Sequence, residues 1–335
     1  MTDLKTQLEA ILQGAAFAPL TGENARAFLR ITGPDATRWL NGMVTNNIKD
    51  LAPGEGNYNF LLNAQGRIQG DCTIYREPDG TEPVFVLETD STQMEALQPL
   101  LDKFIIMDDV ELSLMDHWHN TLLVLGPKAH DVLRKMEKQT IENTYASLPP
   151  LRLAYDGRTA AQIATPGPGL VPQFEISTVD WNEALIAEAK TAGAVELSPE
   201  ALEAYRILSA TPRYGTDIRN TETAKDLPQE TAQTHALHFS KGCYLGQEIV
   251  ERIHSRGAVH RTFAQFTLSG PLPTLPAPLE LNGKTVGELT SAAIIPLSTG
   301  DITLALGYAR LEALPQPLTY PGGTATQRRP QHLKT

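Results

Sequence analysis

Lys241-Gly242-Cys243-Tyr244-Leu245-Gly246-Gln247-Glu248 is the stretch on which the reading of this chain turns. It holds one of only two cysteines, between two glycines, and an amide/acid pair follows at once. With Lys241 two residues away, and residues 244–253 read as a helix, Cys243 lies near a helix N-terminus, where free N–H groups favour a thiolate. The other reading is a buried structural cysteine. Gln247 and Glu248 have the donors and acceptors to bracket a heteroaromatic ring. As plain helix surface, Glu248 would instead pair with Arg252 one turn on. Arg252, His254, Arg256, His260 and Arg261 follow, as a local anion pocket, a partner patch or a solvated face. A Cys–His nucleophile pair needs His235, His238, His254 or His260 close in space.

Outward from this stretch, the totals set bounds. A chain of 335 residues exceeds one ordinary core, so two or three domains are expected. Hydrophobic content of 41% with 20% charged residues is that of a globular protein. A net charge of −11 argues against a sequence-blind nucleic-acid binder. Cys72 and Cys243 make neither a disulfide scaffold nor a zinc site. There is no P-loop, no dinucleotide-binding glycine fingerprint and no His-Glu-x-x-His spacing, so no stable metal is expected. The start, Met1-Thr2-Asp3-Leu4-Lys5, lacks the pattern of a secretory signal, and no apolar run is long enough to span a bilayer. The expectation is a cytoplasmic protein with Cys243 as a thiol and no membrane partner.

Hydrophobic periodicity predicts helices at 4–13, 91–102, 127–136, 181–192 and 199–208, and one carrying Trp39, Leu40 and Val44 after Asp35. Strands are predicted at 27–32, 58–63, 67–76, 82–88, 110–115, 121–125, 151–155, 159–165 and 171–176. The pair 58–63 and 67–76, split by Ala64-Gln65-Gly66, reads as a hairpin. Asp71 lies mid-strand, which is costly unless it faces a wet cleft, and alternation sends Cys72 to the opposite face. Asn63 and Gly66 flank the turn that aims this carboxylate; an edge-strand aspartate in water is the alternative. The order of elements is α+β with antiparallel sheets. A proline run at 271–278 leads to short strands at 285–290, 293–296 and 303–310, a plausible small β-barrel. Residues 322–335 read as a frayed tail.

The stretch 241–248 resembles the signature of the YgfZ family, folate-binding proteins similar to the glycine-cleavage T-protein (aminomethyltransferase) that act in iron–sulfur cluster maturation. The resemblance extends to Trp39-Leu40-Asn41-Gly42-Met43-Val44-Thr45-Asn46-Asn47-Ile48, to 61–71, to Pro212-Arg213-Tyr214-Gly215-Thr216-Asp217, to Pro228-Gln229-Glu230 and to Gly287-Glu288-Leu289-Thr290-Ser291. It implies a T-protein-like fold: an α+β folate-binding domain at 1–115, a second α+β domain at 116–262 and a C-terminal β-barrel at 263–335, around a central cavity. It implies a tetrahydrofolate or derivative as cofactor, and iron–sulfur client or assembly proteins as partners. Asp71 falls where T-proteins keep the aspartate that addresses the folate amine nitrogen. Arg213 or the Arg252–Arg261 cluster takes the glutamate tail. Arg26 and Leu202 stand where bacterial relatives carry tryptophans, so stacking on the pterin passes to Tyr58, Tyr205 or Tyr244. The expected site is Cys243 and Asp71 for chemistry, with Asn63, Tyr205, Arg213, Tyr244, Gln247 and Glu248 alongside Asp71 for folate. T-proteins lack the cysteine motif, which makes an accessory factor the first reading and a tetrahydrofolate-dependent aminomethyl- or methyltransferase the second. A lone thiol cannot hold a four-iron cluster, which takes four thiolates, so any role of Cys243 there is transient.

Overall fold

The computed structural model describes residues 2–116, 120–137, 148–156, 161–165, 169–179, 183–222, 224–257 and 259–328. Helix α1 (Leu4–Gln13) opens it, capped by the Asp3 carboxylate, which accepts from Thr6 N at 3.0 Å. Then come β1 (Ala16–Leu20), β2 (Arg26–Thr32), α2 (Ala36–Met43), β3 (Gly56–Leu62), β4 (Ile68–Arg76), β5 (Phe85–Asp90), α3 (Ser91–Asp102) and β6 (Glu111–Leu114). The middle of the chain forms β7 (Asn120–Leu125), α4 (Ala129–Glu137), β8 (Arg152–Asp156), β9 (Ala161–Thr165), β10 (Gln173–Thr178), α5 (Glu183–Thr191), β11 (Val195–Glu196) and α6 (Pro199–Leu208). Ser198 caps α6 and Pro199 starts it, a favourable pairing because proline has no N–H to leave unpaired. An irregular segment leads to α7 (Gln247–Arg256). Six strands close the chain: β12 (Arg261–Ser269), β13 (Ala277–Leu281), β14 (Lys284–Leu297), β15 (Gly300–Arg310), β16 (Leu318–Tyr320) and β17 (Gly323–Arg328).

The expected α+β class with a terminal barrel is what the chain adopts. The first sheet has the order β3-β4-β5-β2-β6 and the second β11-β1-β7-β10-β9-β8. Strands β12 to β17 form a closed barrel in which β12 pairs with β17. The tail expected to fray at 322–335 therefore contains a barrel strand, because 323–328 seals the last edge; residues 329–335 lie outside the described residues. The strands expected at 285–290 and 293–296 are one strand, bent at a register shift between Leu289 and Ser291. Of the predicted strand 159–165 and helix 181–192, positions 159–160 and 181–182 lie outside the described residues.

Two segments cross a division of the chain at 115 and 262. Strand β1 leaves the first domain and pairs with β7 and β11 of the second sheet. The motif segment turns back onto the β3–β4 hairpin, where Tyr244 and Val250 join Phe60, Leu62 and Ile68 in one apolar cluster. Under the first sheet, Leu29, Trp39, Leu40, Leu87 and Leu97 form a core with α2 and α3. Under the second, Phe17, Val124, Leu133 and Phe174 pack with α4 and α5. A third cluster, with Leu8, Ile11, Ile207, Leu304 and Tyr308, cements α1 and α6 to the barrel. Each such fully buried side chain contributes about 1.5–3 kcal/mol. No helix among the described residues is long and apolar enough to cross a membrane.

Candidate functional site

A cavity of about 340 Å³ lies where the two sheets, α6 and the segments around 213 and 235 meet. Alternation along β4 places Asp71 and Thr73 on its wall and turns Cys72 and Ile74 into the core beneath. Burial pushes the Cys72 thiol well up, which makes it an inert packing group. Both oxygens of the Asp71 carboxylate are held. Its Oδ2 accepts from the Tyr58 hydroxyl at 2.5 Å and its Oδ1 from Gln93 Nε2 at 2.8 Å. The Gln93 carbonyl accepts from Asp71 N at 3.1 Å in return. Burial pushes the Asp71 carboxyl up from its ordinary range, against the pull of those two donors.

Deeper in the wall, Arg26 on β2 reaches across to the second sheet. Its guanidinium donates to both oxygens of Glu175 at 3.0 and 2.8 Å, pairs with Asp90, and lies 3.5 Å from Glu88. Burial and then the charge of Glu175 push the Glu88 carboxyl well up from its ordinary range. Burial opposes ionisation of Glu175 too, yet Arg26 holds that carboxyl below its usual range. Arg26 thus stitches the two sheets together, a use of its planar fork that tryptophan at this position lacks. Tyr205 and Arg213 also face the cavity. Burial raises the Tyr205 phenol to about 12. Arg213 donates to Asn24 Oδ1 at 2.9 Å and lies 3.6 Å from Glu203.

The structure therefore brings Asp71, Tyr205 and Arg213 together, with Tyr58, and leaves the other expected folate contacts outside the lining. Asn63 is consumed by its own turn, where its side-chain carbonyl accepts from Gln65 N and Arg67 N, both at 3.0 Å. Tyr244 faces the apolar cluster over the hairpin, and Gln247 accepts from Tyr244 N at 3.3 Å to close its own loop. Glu248 is exposed in the first turn of α7. The basic run is not one pocket: Arg261 pairs with Asp226 and Glu230 at 2.7 and 3.0 Å and covers the Tyr308 ring. His254 stacks on Phe239 with centroids 3.8 Å apart.

Cys243 is exposed, which removes the buried structural alternative. It lies outside the cavity lining and precedes the helix, which starts only at Gln247 behind the cap Gly246. Lys241 anchors its loop. Its ammonium is buried and donates to the carbonyls of Val44 and Asn46, each at 2.5 Å, with the Tyr244 ring at 5.1 Å. Burial, and then the nearby Lys49, bring it down to about 7. The hairpin tip and the start of α7 meet at Gly246, whose φ is +83°; an added Cβ would sit 2.5 Å from the carbonyl oxygen of Asn63. Gly246→Ala is expected to cost about 2 kcal/mol or more, from the left-handed backbone and the clash together. A urea midpoint read at unchanged slope checks it, and a cost below about 0.5 kcal/mol contradicts the close approach.

Sequence reasoning did not single out Gln93 or the Arg26–Glu175 pair, and it offered His235 only as a partner for Cys243, not as a wall of the cavity. Only Arg26 carried a signal, as a charged residue where the resemblance implies an aromatic.

Residues 24–155 match the GCVT N-terminal domain family. The chain has the fold of the glycine cleavage system aminomethyltransferase T from Bartonella henselae, with a TM-score of 0.81 at 18% identity over 98% of this chain and 89% of that one. It is 26% identical over 325 residues to the mitochondrial iron-sulfur cluster assembly factor IBA57 of Mus musculus, covering 93% of this chain and 79% of that protein. It spans 56% of the length of the corresponding homologue from Neurospora crassa, at 28% identity over 78% of this chain. These assembly factors are mitochondrial, which overturns the cytoplasmic expectation. Two free thiols and the lack of a secretory pattern do not single out one compartment.

Proposed function

We propose that this chain is an accessory factor for assembly or repair of iron–sulfur proteins, and that it holds a tetrahydrofolate or derivative in its cavity. One observation carries the reading: a carboxylate-lined cavity of T-protein type and an exposed thiol sit on one frame, with the thiol outside the cavity. The residues fit a reduced folate. About 340 Å³ lies within the range of small-molecule sites, roughly 300–1,000 Å³. Asp71 and Gln93 offer acceptors to a ring rich in N–H groups, Tyr58 and Tyr205 offer aromatic faces, and Arg213 suits a carboxylate tail. A bound reduced folate supplies nitrogens able to carry a one-carbon unit. Asp71 orients that ligand and takes or keeps a proton at Oδ1 or Oδ2. Cys243, in water, is free to engage a client or assembly protein transiently. The cluster is cargo, since one thiol lacks the ligands to keep it.

The test is complementation of a strain lacking the gene. Cys243→Ala is expected to leave aconitase-type activity under oxidative stress at the level of the deletion, while protein abundance and melting stay native because the side chain is exposed. Normal activity in that strain removes the thiol role.

A second reading, a tetrahydrofolate-dependent aminomethyltransferase, draws on the aminomethyltransferase of Nostoc, 24% identical over 86% of this chain. Formation of methylene-tetrahydrofolate from a lipoyl-bound aminomethyl donor would favour it.

A further inference from the structure

We infer that Asn46 is a positioning residue that ties occupancy of the cavity to the presentation of Cys243. The inference rests on the folate reading above. Asn46 lies between α2 and β3, and each of its polar atoms is engaged. Its Nδ2 donates to the carbonyls of Tyr58 at 3.1 Å and His235 at 2.9 Å. Its Oδ1 accepts from Asn47 N at 2.9 Å, and its backbone N donates to Asn59 Oδ1 at 2.9 Å. Its carbonyl accepts from Lys241 Nζ at 2.5 Å.

The two ends of this arrangement differ. Tyr58 and His235 line the cavity, with ring centroids 5.4 Å apart, and Tyr58 donates to Asp71. Lys241 is buried and anchors the loop that carries Cys243 two residues on. One planar amide therefore ties the main chain at Tyr58 to that at His235, two neighbours in the cavity wall, and the same residue's carbonyl receives the anchor of the thiol loop. The amide cannot rotate to follow one neighbour without releasing the other, because its two N–H groups point in fixed directions. Neighbouring bonds add to the seam: Thr45 Oγ1 donates to the Ala236 carbonyl at 2.6 Å, and Leu245 N to that of Gly42 at 3.0 Å. A ligand that moves Tyr58 or His235 shifts the Asn46 frame, and with it the seat of the Lys241 ammonium. Coupling of this kind is a free energy shared by two sites, so it acts in both directions.

The thiol supplies its own readout. Cys243 is exposed and Cys72 is buried, so the rate of alkylation by iodoacetamide reports Cys243. The probe ligand is 5-formyltetrahydrofolate, with calorimetry recording its binding separately. In the native protein, saturating probe is expected to change the alkylation rate about fivefold, the lower end of typical couplings. Asn46→Asp keeps the size and loses both side-chain donors. It is expected to bind the probe while the ligand-induced change falls below about twofold, and Asn46→Ala is expected to do the same. The difference made by the ligand is the quantity read, since a merely structural role would alter both rates alike. A native protein that binds the probe with an unchanged rate overturns the coupling and leaves the folate reading standing. A variant that keeps the full change also overturns it. No calorimetric binding by the native protein overturns the folate reading and this inference with it.

Discussion

Asp217→Ala is expected to lower stability by about 3–5 kcal/mol, the largest loss of any single substitution considered for this chain. The carboxylate has no exposure and takes four donors. Oδ2 accepts from Arg206 Nη1 at 2.5 Å and Arg213 N at 3.0 Å. Oδ1 accepts from Thr290 Oγ1 at 2.5 Å and Ser291 Oγ at 2.8 Å. Ser291 in turn accepts from Arg206 Nη2 at 2.7 Å. The network joins α6, the segment after it and the barrel in one buried knot. Truncation strands the Arg206 guanidinium, whose remaining carboxylate, Glu203, lies at its outer edge. Breaking a buried pair costs more than replacing it whole, so Arg206→Met combined with Asp217→Leu is expected to recover much of the loss. Urea midpoints at pH 7 check both. A loss below about 1 kcal/mol for Asp217→Ala contradicts the account.

Asp71→Asn is expected to weaken binding of 5-formyltetrahydrofolate by about 10- to 100-fold, the equivalent of one charged hydrogen bond of roughly 1.5–3 kcal/mol. Stability should move the other way. The Asp71 carboxyl is raised in the folded state, first by burial. Its contribution to stability is therefore full below the unfolded value and is lost as pH rises through the folded one. At pH 7 the native protein bears the cost of an ionised buried carboxylate, and the Asp71→Asn protein does not. The variant should resist urea better at pH 7, with the advantage fading in acid below about pH 4. Tighter folding with weaker binding is the mark of a group kept for function. Unchanged affinity in calorimetry, or an advantage that grows in acid, contradicts the assignment.

What could be read from the residues follows the range of the forces involved. Helices α1, α3 and α6 and the β3–β4 hairpin are legible because period, caps and turn residues are local. Alternation along β4 separates Asp71 from Cys72, as the structure shows, but which of the two faces looks into a cavity depends on the second sheet. The wall that Arg26 and Glu175 build was hidden, since the two residues stand 149 positions apart and meet only when two sheets pack. Tyr244 misled for the opposite reason. It sits in the most telling stretch of the chain, yet the hairpin it covers decides which way its ring turns. Strand β17 looked like a polar tail because its worth lies in closing an edge, which no hydrophobic count records.

Helix α1 packs against β14 and α6, elements made long after it. The apolar stripe at Leu8 and Ile11 therefore completes its seat only when strand β14, nearly 280 positions on, has joined α6 and β1 around it. The barrel in turn waits for β17 before it can close. Contacts that span so much of the sequence cost loop-closure entropy before they reward it, so folding of this chain is expected to be slow.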